Sequence, residues 1–299
     1  MPAGYAASPA PRGFAIISRM DTLYPLTFRP NLHSALWGVE SWEISGYRSS
    51  PSVVAEGPLA GRTLEELAAK CGAALTGTKA PDAKRFPLLF KVIDAQRRLS
   101  VQVHPNEATS LVTGGEPKTE MWHVLDGHGP IFAGLRRGTT AADVKEAVKT
   151  GRFEEMLVCH PAVMGQTLFI PGGLVHAIGE DVRVYEVQQS SDTTYRLYDW
   201  GRVGADGKPR PLHLEESLKS IDFTLSAPEP CTETTCPFFT FRPVTCDGML
   251  EIPANPETFT ALFVVEERKS ILVPASCAAR IACRGKVLVT TLGERNGGE

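Results

Sequence analysis

Apolar and polar positions alternate with a period of two through most of this chain. In LSVQVHPNE, Val101 and Val103 point to one side of an extended segment, and Gln102 and His104 point to the other. PLLFKVID, EMWHVL, QTLFI, LVHAIG and RVYEVQQ are further short runs rich in β-branched and aromatic residues, separated by clusters of Pro, Gly, Asn and Asp. The pattern resumes after residue 215 in FFTFRPV, TALFVVE, SILVP and KVLVTT. Helix signals are few. Thr63 and Glu66 make a capping box ahead of LEELAAK, which predicts a helix over about 63–71. Thr140 followed by AADVKEAVKTG predicts a second, with Gly151 as its stop, and RFEEMLV adds a short turn, so this helical insertion covers about 140–157. Many short strands and few helices predict an all-β-dominated fold, a barrel or sandwich with short helical insertions.

The second set of strands is shorter and carries no pair of metal-ligand residues in alternation. Together with the similarity of FIPGG to LVPAS, this predicts two related β units, one active and one degenerate. The expected organisation is a disordered extension over 1–19, a catalytic domain over 20–215, and a C-terminal β domain over 216–299. The extension is rich in Ala, Pro and Gly, carries Arg12 and Arg19 without an acid, and ends just before Met20, a plausible natural start.

Composition narrows the function. The 299 residues are 42% hydrophobic and 22% charged, the profile of a soluble globular protein. A net charge of -3 provides no general field for nucleic acid, and no apolar run is long enough to span a bilayer. The seven cysteines include no CxxC pair, and no secretory segment precedes them; they read as reduced thiols of a cytoplasmic protein. Cys231 and Cys236 are the nearest approach to a cysteine motif, and their spacing carries little weight.

Gln102 and His104 are two candidate ligands, side by side on a rigid element, for a borderline cation such as zinc. Glu120 opens EMWHVL and shares a face with Trp122 and Val124, while His123 points the other way and reads as structural. His176 follows the Pro171-Gly172-Gly173 turn with Leu174 and Ile178 on its own face. One anion among four ligands leaves a divalent ion with net positive charge and Lewis acidity. Taken singly, each of these residues also has a plain structural reading: a core histidine, an amide bonded to backbone, a surface carboxylate. His33, His128, His160 and His213 lie in loop-like contexts and receive no role. Lys118 projects to the same side as Glu120, Glu186 lies in RVYEVQQ, and Arg196 follows in SSDTTYRLYDW. An interior Glu can exchange a proton, and an interior Lys or Arg can hold an oxyanion or phosphate. The alternative for Arg196 is an ion pair with Asp192 or Asp199, and for Lys118 a solvated loop position. Trp37 and Trp42 are candidate pocket walls.

LSVQVHPNE, EPKTEMWHVL, FIPGGLVHAIG and EVQQSSDTTYRLYDW resemble the signature blocks of the type I mannose-6-phosphate isomerases in their short bacterial form. LWGVESWEIS and VVAEGPLAGRTLEEL resemble that form too, and the blocks run collinearly from about residue 20 onward. The resemblance implies a cupin (jelly-roll-like) β-barrel with a second, degenerate cupin-like domain. It implies one Zn2+ per chain on Gln102, His104, Glu120 and His176, a catalytic Arg196, and Lys118 and Glu186 in the same pocket. The implied substrate is a small sugar phosphate: mannose 6-phosphate and fructose 6-phosphate interconvert through an enediol(ate). Three other readings compete: a metal-dependent dioxygenase of the same superfamily, an isomerase of a related sugar phosphate, and a non-catalytic sugar-binding cupin. The dioxygenase reading is disfavoured because those enzymes present His-x-His with a nearby Glu.

Overall fold

The computed structural model describes residues 22–204 and 207–294; the extension expected at 1–19 lies outside them. In chain order the strands are β1 (Leu32–Ala35), β2 (Gly38–Ser45), β3 (Leu88–Ala95), β4 (Val101–Val103), β5 (Glu120–Gly127), β6 (Pro130–Leu135), β7 (Leu157–Pro161), β8 (Thr167–Ile170), β9 (His176–Ile178), β10 (Val182–Gln189) and β11 (Tyr195–Tyr198), then β12 (Thr234–Thr235), β13 (Phe239–Ile252), β14 (Thr260–Val264), β15 (Lys269–Val273) and β16 (Ala279–Leu292). The helices are α1 (Leu64–Cys71), α2 (Ala73–Thr76), α3 (Glu107–Thr113), α4 (Ala141–Thr150) and α5 (Leu214–Ser220).

Three antiparallel sheets result. The first has the order β1-β2-β3-β10-β5-β8, the second β11-β4-β9-β6-β7, and the third β12-β13-β16-β14-β15. The first two face each other. Ile93, Trp122, Val124, Leu168, Ile170 and Val184 of the first meet Ile131, Ala133 and Ile178 of the second in one core. Hydrogen bonding does not run on from one sheet to the other among the described residues, so this unit is a jelly-roll-like sandwich and not a closed ring of strands. Burying a side chain of Leu, Ile, Val or Phe size stabilises by about 1.5–3 kcal/mol, so the paired apolar faces hold the layers together without closure.

Alternation decides what each face does. On β10, Val182 and Val184 enter the core between the sheets, while Tyr185 and Val187 point outward to a second core. That second core joins the outer face of the first sheet to Phe239, Phe241, Ala261, Phe263, Leu272 and Leu288 of the third, with Leu64, Leu67 and Leu75 of α1 and α2. The outer face of the second sheet, including Val101, Val103 and Ala177, is covered by α4 and the end of α5. Leu26 bridges to Leu272 of β15, so the first described residues are tied into the third sheet.

Both expected helices form with their caps. Thr63 and Glu66 close the capping box of α1, which contributes about 1 kcal/mol. Thr140 caps α4 together with Asp143, and Gly151 ends it at φ 73. RFEEMLV supplies a single 3-10 turn at Phe153–Met156. α3 was not expected; Asn106 caps it through a box with Thr109 in place of Glu or Gln.

Candidate metal centre

Register brings the site together. Gln102 on β4 faces His176 on β9, and on its other side Arg196 on β11. Cross-strand partners share a face, so Arg196, Gln102 and His176 form one row on the inner side of the second sheet. His104 follows just beyond the end of β4. Glu120 comes from the opposite layer, where β5 places it beside Gln188 of β10. The turn before His176 packs against the chain leaving His104: a Cβ on Gly172 would lie 2.8 Å from the Pro105 carbonyl oxygen, closer than side chains tolerate.

His104, Glu120 and His176 each offer a ligand atom, and these atoms all lie within 4.8 Å of one another. His176 Nε2 is 3.1 Å from His104 Nε2 and 3.4 Å from Glu120 Oε1, and His104 Nε2 is 3.5 Å from Glu120 Oε2. Gln102 Nε2 lies 3.3 Å from His176 Nε2; a half-turn of that amide brings Oε1 to the same place. All but Gln102 are buried. Lys118 Nζ stands 3.2 Å from both His104 Nε2 and Glu120 Oε2 and is 5% exposed, so it is no solvated loop lysine.

The electrostatics suit a cation. His176 donates its Nδ1–H to the Leu174 carbonyl oxygen at 2.8 Å, which leaves a lone pair on Nε2 turned into the cluster. Burial pushes His176 down to about 3, and burial reinforced by the Lys118 charge holds His104 well below the usual imidazole range. Both rings are therefore neutral, the form that binds metal. Burial, with Glu186 close by, pushes the Glu120 carboxyl up against the pull of Lys118 and Lys91. Neither Glu120 oxygen accepts a hydrogen bond of good geometry. Lone pairs of two imidazoles and a carboxyl that converge in a buried interior, with one ammonium at their edge, fit a divalent ion.

The other expected residues take distinct places. Glu186 sits two residues along β10 from Gln188; its Oε2 accepts Trp122 Nε1–H at 2.8 Å, and its Oε1 is 3.3 Å from Lys91 Nζ. Arg196 pairs with neither suggested aspartate among the described contacts. Asp199 instead holds Arg202 and Arg210, and Arg196 donates from Nη1 to the Pro211 carbonyl at 3.0 Å with its Nε left without a partner. Trp42 lies on the inner wall with Lys91 Nζ 5.1 Å from its ring centre, whereas Trp37 packs in the core between the sheets. His123 faces the third sheet, bonded to Thr167, as its position on β5 implied. Lys91 and Glu40 escaped the sequence reading. The signal for Lys91 was present: a lysine in the middle of PLLFKVID, on the same strand face as the buried Ile93.

A buried His–Glu–His cluster suited to one metal ion, between two antiparallel sheets with a row of charged groups beside it, defines a candidate metal centre in a fold of the cupin type. The family model for the type I phosphomannose isomerase catalytic domain matches residues 18–126. Mannose-6-phosphate isomerase of Bacillus subtilis is 37% identical over 221 residues, covering 67% of this chain and 69% of the relative. That of Streptococcus mutans is 34% identical over 249 residues, covering 72% and 77%. The crystal structure of a Bacillus subtilis mannose 6-phosphate isomerase superposes with a TM-score of 0.76 at 23% identity, covering 89% of this chain and 99% of that one. A zinc-bound mannose 6-phosphate isomerase structure superposes with a TM-score of 0.69 at 15% identity, covering 90% and 99%. The chain belongs to the type I mannose-6-phosphate isomerase family, a family of isomerases.

Proposed function

We propose that the protein interconverts mannose 6-phosphate and fructose 6-phosphate with one zinc ion per chain, held by Gln102, His104, Glu120 and His176. The observation that carries this reading is the buried convergence of two neutral imidazoles and the Glu120 carboxyl within 4.8 Å of one another, bordered by the Lys118 ammonium. When bound, zinc supplies Lewis acidity to the carbonyl and hydroxyl oxygens of the sugar. The reaction moves a proton between C2 and C1 through an enediol(ate). Lys118, against the ligands, and Glu186, one row deeper, are the two groups that could carry that proton. Arg196 offers a guanidinium with an unpartnered Nε on the same row as two ligands, and in this reading it opposes the negative charge that develops or binds the phosphate. The C-terminal sheet serves as the degenerate cupin-like unit that backs the catalytic one.

The reading includes a cytoplasmic location. None of the seven cysteines forms a disulfide, and among the described residues no helix is long and apolar enough to cross a membrane. A coupled assay for fructose 6-phosphate on protein of measured zinc content tests the proposal. Turnover that disappears with chelator, returns with zinc, and is absent from a His104→Ala variant is expected. No turnover by the zinc-replete protein would defeat it.

A further inference from the structure

Two buried charges and one half-buried charge beside the metal cluster form a clamp of near-symmetric design. Lys91 Nζ stands 3.3 Å from Glu40 Oε2 and 3.3 Å from Glu186 Oε1. Each carboxylate is held by an indole: Glu40 Oε2 accepts Trp42 Nε1–H at 2.7 Å, and Glu186 Oε2 accepts Trp122 Nε1–H at 2.8 Å. The register explains the row. Trp42, Lys91, Glu186 and Trp122 are successive cross-strand neighbours on β2, β3, β10 and β5, and Glu40 lies two residues before Trp42. Lys91 and Glu186 are 4% and 2% exposed, so their pairing acts in a poorly screened interior, while the Glu40 side chain is 20% exposed at the edge of the row.

Burial pulls Lys91 down, and Glu186 and Glu40, aided by Glu120 and Asp192, outweigh it and raise Lys91 above its ordinary value. Burial likewise pushes Glu40 up, and Lys91 together with the Trp42 N–H brings it below its ordinary value. Glu40, Lys91 and Glu186 together carry one negative charge, which opposes the net positive charge of a divalent ion with a single anionic ligand. Were the Glu40 charge missing, Lys91 would close on Glu186 alone, and Glu186 would lose its freedom to meet a substrate.

We propose that Glu40 is a positioning residue of the active site, acting through Lys91. It holds the Lys91 ammonium midway between two carboxylates, so that Lys91 and Glu186 stay aligned beside the metal ligands. This rests on the isomerase reading above, and its test separates the two. Glu40→Gln keeps the shape and an acceptor for Trp42 but removes the charge. The expected result is a fall in kcat of about 10- to 100-fold, with KM within about threefold and zinc content unchanged. Glu40→Asp should recover part of the loss. Indole N–H resonances give a readout independent of turnover: in Glu40→Gln both the Trp42 and the Trp122 signals should shift, while Trp200 stays as the reference. A wild-type kcat, a loss of zinc, or an unmoved Trp122 signal in that variant would overturn the proposal. If the unsubstituted protein did not act on mannose 6-phosphate, the isomerase reading would fail by itself, and the two indole signals alone would decide the clamp.

Discussion

Gln102 and His176 are directly opposed in the β4–β9 ladder, with their side-chain nitrogens 3.3 Å apart. A neutral amide in that position, turned with its oxygen inward, would contribute an oxygen ligand without adding charge. Gln102→Leu keeps the volume and removes the oxygen. Zinc affinity, measured by competition with a chelator, should fall at least about tenfold, since even the outer partners of metal ligands are worth that much. Unchanged affinity would remove Gln102 from the ligand set.

Glu120 joins a metal requirement to a stability cost. Its carboxyl is pushed up by burial in the metal-free fold, so the uncharged form is preferred there. Glu120→Gln resembles that form. The metal-free variant should unfold within about 1 kcal/mol of the metal-free parent, while losing zinc and turnover. Denaturant melts with and without chelator check both halves. A variant that retained zinc would show that the carboxylate is no ligand.

Arg196 is expected to act on the reaction and not on the ion. It stands beside Gln102 in the row, yet among the described residues its side-chain bond runs to the Pro211 carbonyl. Arg196→Ala should lower kcat by about 100-fold or more and leave zinc per chain unchanged. Loss of metal in that variant would refute the role.

His123 gives a pH dependence away from the centre. Burial, with Lys286 nearby, lowers it from 6.5 to about 4. The folded-state value lies below the unfolded one, so the unfolded chain takes up the proton first as pH falls. Stability present above pH 6.5 is lost progressively down to pH 4, to the extent of about 3 kcal/mol. His123→Gln should lose less unfolding free energy between pH 7 and 4.5 than the parent. Parallel losses in urea melts would show that another group carries the acid limb.

Much of this site could be read from the chain because strand alternation is local. QVH fixed Gln102 and His104 to one face, EMWHVL separated Glu120 from His123, and the Pro171-Gly172-Gly173 turn placed His176 beside Leu174 and Ile178. The resemblance of whole blocks then joined these segments into one set. What stayed hidden depends on pairing between strands far apart in the chain. Lys91 meets Glu186 only because β10 inserts between β3 and β5, and Glu40 joins them only because β2 lies next to β3. Whether two twisted sheets close into a barrel or stay a sandwich is likewise set by edge pairing, which alternation within one strand does not report. α3 was missed because its N-cap uses Asn106 and Thr109, a weaker signature than the Thr–Glu box of α1.

Tyr185 and Glu186 are adjacent on β10 and look in opposite directions. Tyr185 stacks on Phe263 of the third sheet with ring centres 4.8 Å apart, while Glu186 reaches Lys91 on the inner side. A single peptide unit therefore links the seat of the C-terminal strands to the charged row. In the isomerase reading, this sheet, which among the described residues offers no atom to the His–Glu–His cluster, would act as a keel for the strand bearing Glu186, and substitutions as distant as Phe263 would gain a route to turnover without touching the sugar.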